Sequence, residues 1–250
     1  MAFRDLFSER SSLYSRYRPR YPDQLMHWIA GLVAQRRLAW DCATGTGQAA
    51  IGLAEQFEHV IATDASPQQI AEAVAHPRIE YRVAPADDSG LAKHSVDLVT
   101  VSQALHWLDM EPFYDEVRRV VVPGGAIVVW GYGDPILDDD VLHEIVHRYN
   151  RGTVEDYWMP ERQTLLDGYR SIPFPFIEID PPTMLMVHHW TLDELSGHLR
   201  TWSATRSYAA AHGGADPVAA VESDLAAHWG DPTVARSIRW PLHIRAGFVA

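Results

Sequence analysis

Short apolar runs in this chain alternate with longer stretches whose apolar residues recur at helical spacing. Leu38–Cys42, Val60–Thr63, Ile79–Val83, Val96–Val101 and Ala126–Trp130 are compact enough to be buried strands. Between the last two, Phe113, Val117, Val120 and Val121 mark one helical face. Before the first strand, Leu25, Ile29, Leu32 and Val33 follow the start signal Pro22-Asp23, so the first 37 residues are expected to be helical. Strands alternating with helices of this length make βαβ units and a largely parallel sheet.

After Tyr132 the alternation stops. Residues 138–180 contain Pro160, Pro173 and Pro175 among many aromatics, and read as a cap inserted in the domain. Two amphipathic helices follow, one with Leu192, Leu195, Leu199 and Trp202, the other with Val218, Val221, Leu225 and Trp229. Ser237–Val249 reads as a terminal strand despite Pro241. The expected organisation is one α/β domain over residues 1–250, with an N-terminal helical lid over 1–37 and the cap over 138–180.

Composition narrows the function. The chain is 47% hydrophobic and 22% charged, which is ordinary globular composition. Its net charge of −12, with Lys93 the only lysine, excludes a phosphate-backbone partner as the default and leaves a small molecule as the expected substrate. The single cysteine, Cys42, cannot form an internal disulfide, and the first ten residues lack the apolar core of a signal peptide. No apolar run is long enough to span a bilayer, so no membrane association is expected and the cytoplasm is the expected compartment.

The chemistry concentrates at Asp41-Cys42-Ala43-Thr44-Gly45-Thr46-Gly47, where a buried strand runs into small residues that let a ligand approach the backbone. The next strand ends at Asp64, which follows Gly45 by 19 residues and can accept hydrogen bonds from ribose hydroxyls. Gly45-Thr46-Gly47-Gln48-Ala49-Ala50 also fits a relaxed dinucleotide fingerprint. Three features favour S-adenosylmethionine (SAM) over NAD. Asp41 suits an ammonium and a sulfonium better than a pyrophosphate. A long segment precedes the first strand, and Lys93 has no tyrosine four positions before it.

An ordered set of motifs runs along nearly the whole chain. It comprises Tyr14, Tyr17-Arg18-Pro19-Arg20-Tyr21-Pro22, the Asp41–Gly47 turn, Asp64-Ala65-Ser66, Ala86-Asp87, Ser95-Val96-Asp97-Leu98-Val99 and Gln103-Ala104-Leu105-His106-Trp107. Pro123-Gly124-Gly125, Tyr157-Trp158-Met159-Pro160-Glu161-Arg162 and Thr201-Trp202-Ser203-Ala204 complete it. In this the chain resembles class I SAM-dependent methyltransferases, particularly the trans-aconitate methyltransferase-like group. The resemblance implies a Rossmann-like, doubly wound, seven-stranded sheet with its last strand antiparallel. It also implies SAM as cofactor and S-adenosylhomocysteine as product.

By the same resemblance, Asp41 and Gly45 to Gly47 hold the methionine part, Asp64 the ribose, and Ala86 and Asp87 flank the adenine; Ala43, Thr44 and Ala65 are further candidate cofactor contacts. Pro85 stands where the family more often has an acid. Ser102 and Gln103 lie near the sulfonium, and Tyr14 and Arg18 reach the cofactor from the lid. His106 is the candidate general base or orienting group. Trp107, Trp158, Arg162 and Tyr169 are candidate acceptor contacts, and Arg162, Arg200 or Arg206 could pair with a carboxylic acid.

His143-Glu144-Ile145-Val146-His147 matches the zinc-protease pattern, but it sits in the cap with no third ligand after it, so no metal is expected. Cys42 reads as a small core filler. The reading is methyl transfer to a small-molecule acceptor. An NAD-dependent oxidoreductase and a SAM-binding regulator without turnover are the alternatives.

Overall fold

The computed structural model describes residues 17–250. Five strands build the parallel core: β1 (Leu38–Cys42), β2 (His59–Asp64), β3 (Ile79–Val83), β4 (Val96–Ser102) and β5 (Val121–Tyr132). They lie in the order β3-β2-β1-β4-β5. Strand alternation sends Ala39, Val60, Ala62, Leu98, Ala126 and Val128 to one face, and Trp40, Ile61, Val99, Val101, Ile127 and Val129 to the other. In β1, β2, β4 and β5 both faces are buried, which is why these strands read as nearly continuous apolar runs, whereas the edge strand β3 is half-exposed.

On the first face lie α1 (Asp23–Gly31) and α2 (Gln48–Ala54). Ala49, Ala50, Leu53 and Ala54 are fully buried, so small side chains seat α2 close against the alanines of the sheet. Met26 of α1 packs onto Gly52, where a Cβ would come within 2.9 Å of it. On the second face α4 (Met110–Val120) buries Phe113, Tyr114, Val117 and Val120. The short α3 (Pro67–Ala71) follows β2.

The helix expected over the first 37 residues is shorter in the described part. Tyr17 is helical, and helix α1 begins at Asp23, because Pro19 and Pro22 remove backbone donors between them and Pro22 itself is extended.

Beyond β5 the chain adds β6 (Ile136–Leu137), α5 (Asp140–Arg148), α6 (Arg162–Leu166), β7 (Ile177–Ile179) and β8 (Leu185–Trp190). Helices α7 (Leu192–Arg200), α8 (Ser203–Ala211) and α9 (Val218–Trp229) precede the long β9 (Arg236–Phe248). Strand β9 runs antiparallel to β5, as expected of the last strand, and Pro241 lies within it opposite Leu185. Among the described residues the sheet has nine strands rather than seven, because β9 also pairs with β6, β7 and β8. Helices α5, α7 and α9 pack together beside this extension, burying Leu142, Ile145, Leu195, Leu199, Val221 and Leu225.

Strand order reverses between β1 and β4, and the segments leaving their carboxyl ends part in opposite directions. That crevice is where open α/β sheets bind ligands. The glycine turn leaves β1 there, and Gln103–Trp107 leaves β4.

Candidate cofactor and acceptor site

Three residues give the turn its shape. Ala43, Gly45 and Gly47 take left-handed backbone angles, with φ of 55°, 58° and 88°. At Gly47 an added Cβ would lie 2.2 Å from the Tyr81 hydroxyl, so glycine is required by space as well as by angle. The Thr44 amide donates to the Thr63 carbonyl at 2.9 Å, tying the turn to β2.

Asp41 sits beneath this turn, fully buried. Parallel register sets it beside Thr100 of β4, whose hydroxyl donates to Oδ1 at 2.7 Å. The Thr44 hydroxyl donates to Oδ2 at 2.5 Å. Burial pushes the Asp41 carboxyl up to about 6, against the pull of these two bonds. The residue therefore braces the turn from inside.

Asp64 closes the crevice from β2. Its Oδ2 accepts the Gly45 amide at 2.9 Å and its Oδ1 accepts the Ser66 amide at 2.8 Å. Ser66 caps α3 by accepting the Gln69 amide, with Pro67 at the first helical position. A carboxylate can accept several hydrogen bonds at once, those of ribose hydroxyls among them. The donor set fits a nucleoside. Ala65 is half-buried beside it, Ala86 is half-buried, and Asp87 is exposed on the loop after β3. That loop is pinned where Ser89 donates its amide and hydroxyl to Glu116 of α4.

At the exit of β4, Ser102 is half-buried and Gln103 adopts φ 57°. The Gln103 amide donates to the Trp130 carbonyl and its side chain to the Tyr132 carbonyl, at 2.8 and 3.2 Å. The 3₁₀ turn Leu105–Trp107 then presents His106, while Trp107 is partly exposed. Burial pulls the His106 imidazole down to about 4, so the ring is neutral at pH 7.

Tyr169 stacks on His106 with ring centroids 6.0 Å apart. It is fully buried with φ 61°, and its carbonyl accepts from Arg245 of β9 at 2.7 Å. Gly131 makes room for this contact, since a Cβ there would meet Leu165 at 2.2 Å and the Tyr169 hydroxyl at 3.1 Å. Four non-glycine residues of the described chain have positive φ, and three of them, Ala43, Gln103 and Tyr169, belong to this site. Backbone strain of this kind gathers at functional sites.

Of the lid contacts, Arg18 donates to the Tyr132 hydroxyl at 3.2 Å and to the Thr201 carbonyl at 3.5 Å. Tyr14 lies outside the described residues. Trp158 and Arg162 engage each other, the guanidinium lying 3.9 Å from the indole centroid. Arg162 is also paired with Asp134, and the Trp158 indole donates to buried Asn150 at 2.8 Å. Arg200 is held by Asp216 and Glu222 at 2.9 and 2.5 Å.

On α5, the His143 and His147 rings lie 6.4 Å apart, and among the described residues no group of three His, Cys, Asp or Glu side chains is placed to hold a metal ion. Cys42 is buried, with its thiol pushed up chiefly by desolvation, as befits a filler.

Several contributors escaped sequence reasoning: Thr100, Ser66, Tyr81, Gly131, Tyr132 and Arg245. Only Ser66 carried a local signal, a serine followed by proline at a strand-to-helix turn. The others act through strand register or across long separations.

A parallel sheet with a small-residue turn at its switch point, and a carboxylate ending the next strand, is the architecture of nucleotide- and nucleoside-binding α/β proteins. Residues 40–129 match the methyltransferase domain family. A methyltransferase of Dictyostelium discoideum is 32% identical over 209 residues, covering 82% of this chain and 80% of its own. The solved structure of a type II methyltransferase from Anaeromyxobacter dehalogenans is similar with TM-score 0.87 and 41% identity, over 93% of this chain and 98% of that one. A Saccharomyces cerevisiae methyltransferase whose name states dependence on S-adenosylmethionine is 29% identical over 157 residues, 59% of this chain and 53% of its own. The chain belongs to the class I SAM-dependent methyltransferases. It is an enzyme of methyl transfer, and the dinucleotide reading of the turn falls with that assignment.

Proposed function

We propose that this enzyme binds SAM at the β1 turn and methylates a small molecule held between the exit of β4 and the Tyr169 segment. The observation that carries the reading is the Asp64 carboxylate at the end of β2, anchored on the Gly45 amide of the glycine turn and on the Ser66 amide. When bound, SAM supplies an electrophilic methyl group on a sulfonium, which an acceptor displaces in line. The work of the chain is then to align the acceptor and keep water out. Gln103, His106 and Tyr169, gathered where β4 and β5 end, are the residues suited to it.

The ordered motifs support a place in the trans-aconitate methyltransferase-like group, and with it an organic acid as acceptor. Arg162 and Arg200 are committed to carboxylates of the chain itself. Arg18 donates to the Tyr132 hydroxyl and the Thr201 carbonyl. The net charge of −12 supports a small acceptor rather than a nucleic acid. The lone, buried Cys42 supports a reducing compartment such as the cytoplasm. Among the described residues no helix is long and apolar enough to cross a membrane.

Calorimetric titration with SAM and with S-adenosylhomocysteine tests the proposal. Saturable binding of both is expected, followed by S-adenosylhomocysteine release when a panel of small organic acids is added with SAM. Absence of heat with either nucleoside defeats the reading.

A further inference from the structure

Tyr169 is fully buried, and among the described residues its hydroxyl has one hydrogen-bond partner, Nδ1 of His106 at 3.4 Å. Leu165, the Gly131 backbone and Gln103 Oε1 surround the same spot, and none of them is hydrogen-bonded to the phenol. A buried hydroxyl with a single partner gives that partner its proton, because an O–H left undonated away from water bears the full desolvation penalty. Nδ1 of His106 therefore accepts, and the one proton of the neutral ring resides on Nε2. No group among the described residues pairs with Nε2.

The phenol is also held in place. Gly168 and Tyr169 both take positive φ, at 72° and 61°. Arg245 ties this turn down by donating to the carbonyls of Tyr169 and Ile172, each at 2.7 Å, and its other nitrogen meets Glu178 at 2.7 Å.

We infer that Tyr169 is the positioning residue that locks His106 in its Nε2–H form, so that His106 offers the methyl acceptor a hydrogen-bond donor and not a base. The inference rests on the function proposed above and concerns how that acceptor is met. With no lone pair at Nε2, the ring cannot take a proton from an alcohol or a protonated amine. The fitting acceptor is one whose attacking oxygen is already anionic in solution. Its lone pair forms the bond to the methyl carbon, and the pair of the broken carbon–sulfur bond stays on sulfur. The negative charge of the acceptor and the positive charge of the sulfonium cancel, and no proton changes hands. The Nε2–H orients the anion through a second acceptor atom.

Long-range ¹H–¹⁵N correlation spectra of ¹⁵N-histidine-labelled full-length protein, with and without S-adenosylhomocysteine, read the tautomer directly. A protonated Nε2 and a hydrogen-bonded, unprotonated Nδ1 are expected at His106. Tyr169→Phe should move the Nδ1 resonance toward that of an unbonded ring nitrogen and let a fraction of the rings carry the proton on Nδ1 instead of Nε2. A protonated Nδ1 in the unsubstituted protein, or an Nδ1 resonance indifferent to Tyr169→Phe, overturns the inference. These readouts need no SAM binding, so they fail separately from the proposed function. In matched pairs of an organic acid and its alcohol, the acid should be methylated, and His106→Gln, which keeps a donor near Nε2 but cannot act as a base, should retain at least a tenth of that rate. Methylation of the alcohol that His106→Gln abolishes would equally overturn it.

Discussion

The Asp64 carboxylate accepts the Gly45 amide at 2.9 Å, so the acid that ends one strand holds open the turn that ends its neighbour. Removing the charge removes both the tie and the oxygens that would accept from a ribose. Bonds to a charged group are worth about 1.5–3 kcal/mol. Asp64→Ala should therefore weaken S-adenosylhomocysteine binding by roughly 10- to 100-fold. Calorimetry measures it, with circular dichroism confirming the fold. Unchanged affinity would remove Asp64 from the site.

Thr100→Val keeps the shape of the side chain and deletes the 2.7 Å bond to the Asp41 carboxylate. Leaving that buried anion short of a donor should cost about 2 kcal/mol at pH 7.5. The folded pKa of Asp41 is raised to about 6, so its ionised form is disfavoured in the folded state and predominates only above that value. The penalty of Thr100→Val should accordingly shrink as pH falls through 6. Urea denaturation of both proteins at pH 7.5 and 5 checks the sign, and a penalty that grows on acidification would refute it.

Gly131→Ala places a methyl group within 2.2 Å of Leu165 Cδ1. Overpacking of this kind costs roughly 1–3 kcal/mol. In a Leu165→Ala background the clash disappears, so Gly131→Ala should be less harmful there than in the native sequence. A double-mutant cycle by chemical denaturation gives the coupling. Strict additivity would mean that the two residues do not meet.

His198 is buried, and its ring bonds the Tyr17 carbonyl through Nδ1 at 3.0 Å and the Trp202 indole through Nε2 at 3.2 Å. Desolvation pulls its pKa down to about 3 from an ordinary 6.5. For a pKa depressed on folding, stability is fully present above 6.5 and lost as pH falls toward 3, because only the unfolded chain takes the proton. Between pH 7 and 5 that loss should amount to about 2 kcal/mol. His198→Gln should show a correspondingly flatter acid limb in denaturation measurements. Parallel curves for the two proteins would contradict this.

The parallel core was legible in the sequence because β1, β2, β4 and β5 are buried on both faces and read as largely apolar runs, while the edge strand β3 is half-exposed and shows only a short mixed run. Gly45, Gly47 and Asp64 were equally visible, since the turn and the strand end that carry them are local in the chain. Strand β8 was hidden: its pattern exposes Leu185, Val187 and His189 while burying Met186 and Trp190, a mixed signal inside an aromatic segment. Thr100 became meaningful only once register set it beside Asp41, and Arg245 only once β9 brought it under Tyr169. Residues 1–16 of the expected lid, Tyr14 among them, fall outside the described chain.

Among the described residues, strand β9 is the sole ladder partner of β6, β7 and β8, and it also covers the outer edge of β5. It follows every one of them in sequence. While the chain is being made, three short strands and one bare sheet edge must wait for the segment 236–248 to leave the ribosome. Until then the Tyr169 turn has no Arg245 to hold it, and the exposed edge of β5 is open to mispairing with another nascent chain. The half of the molecule that would receive the acceptor is thus finished in a single late event, and a chaperone bound to β5 would guard it best.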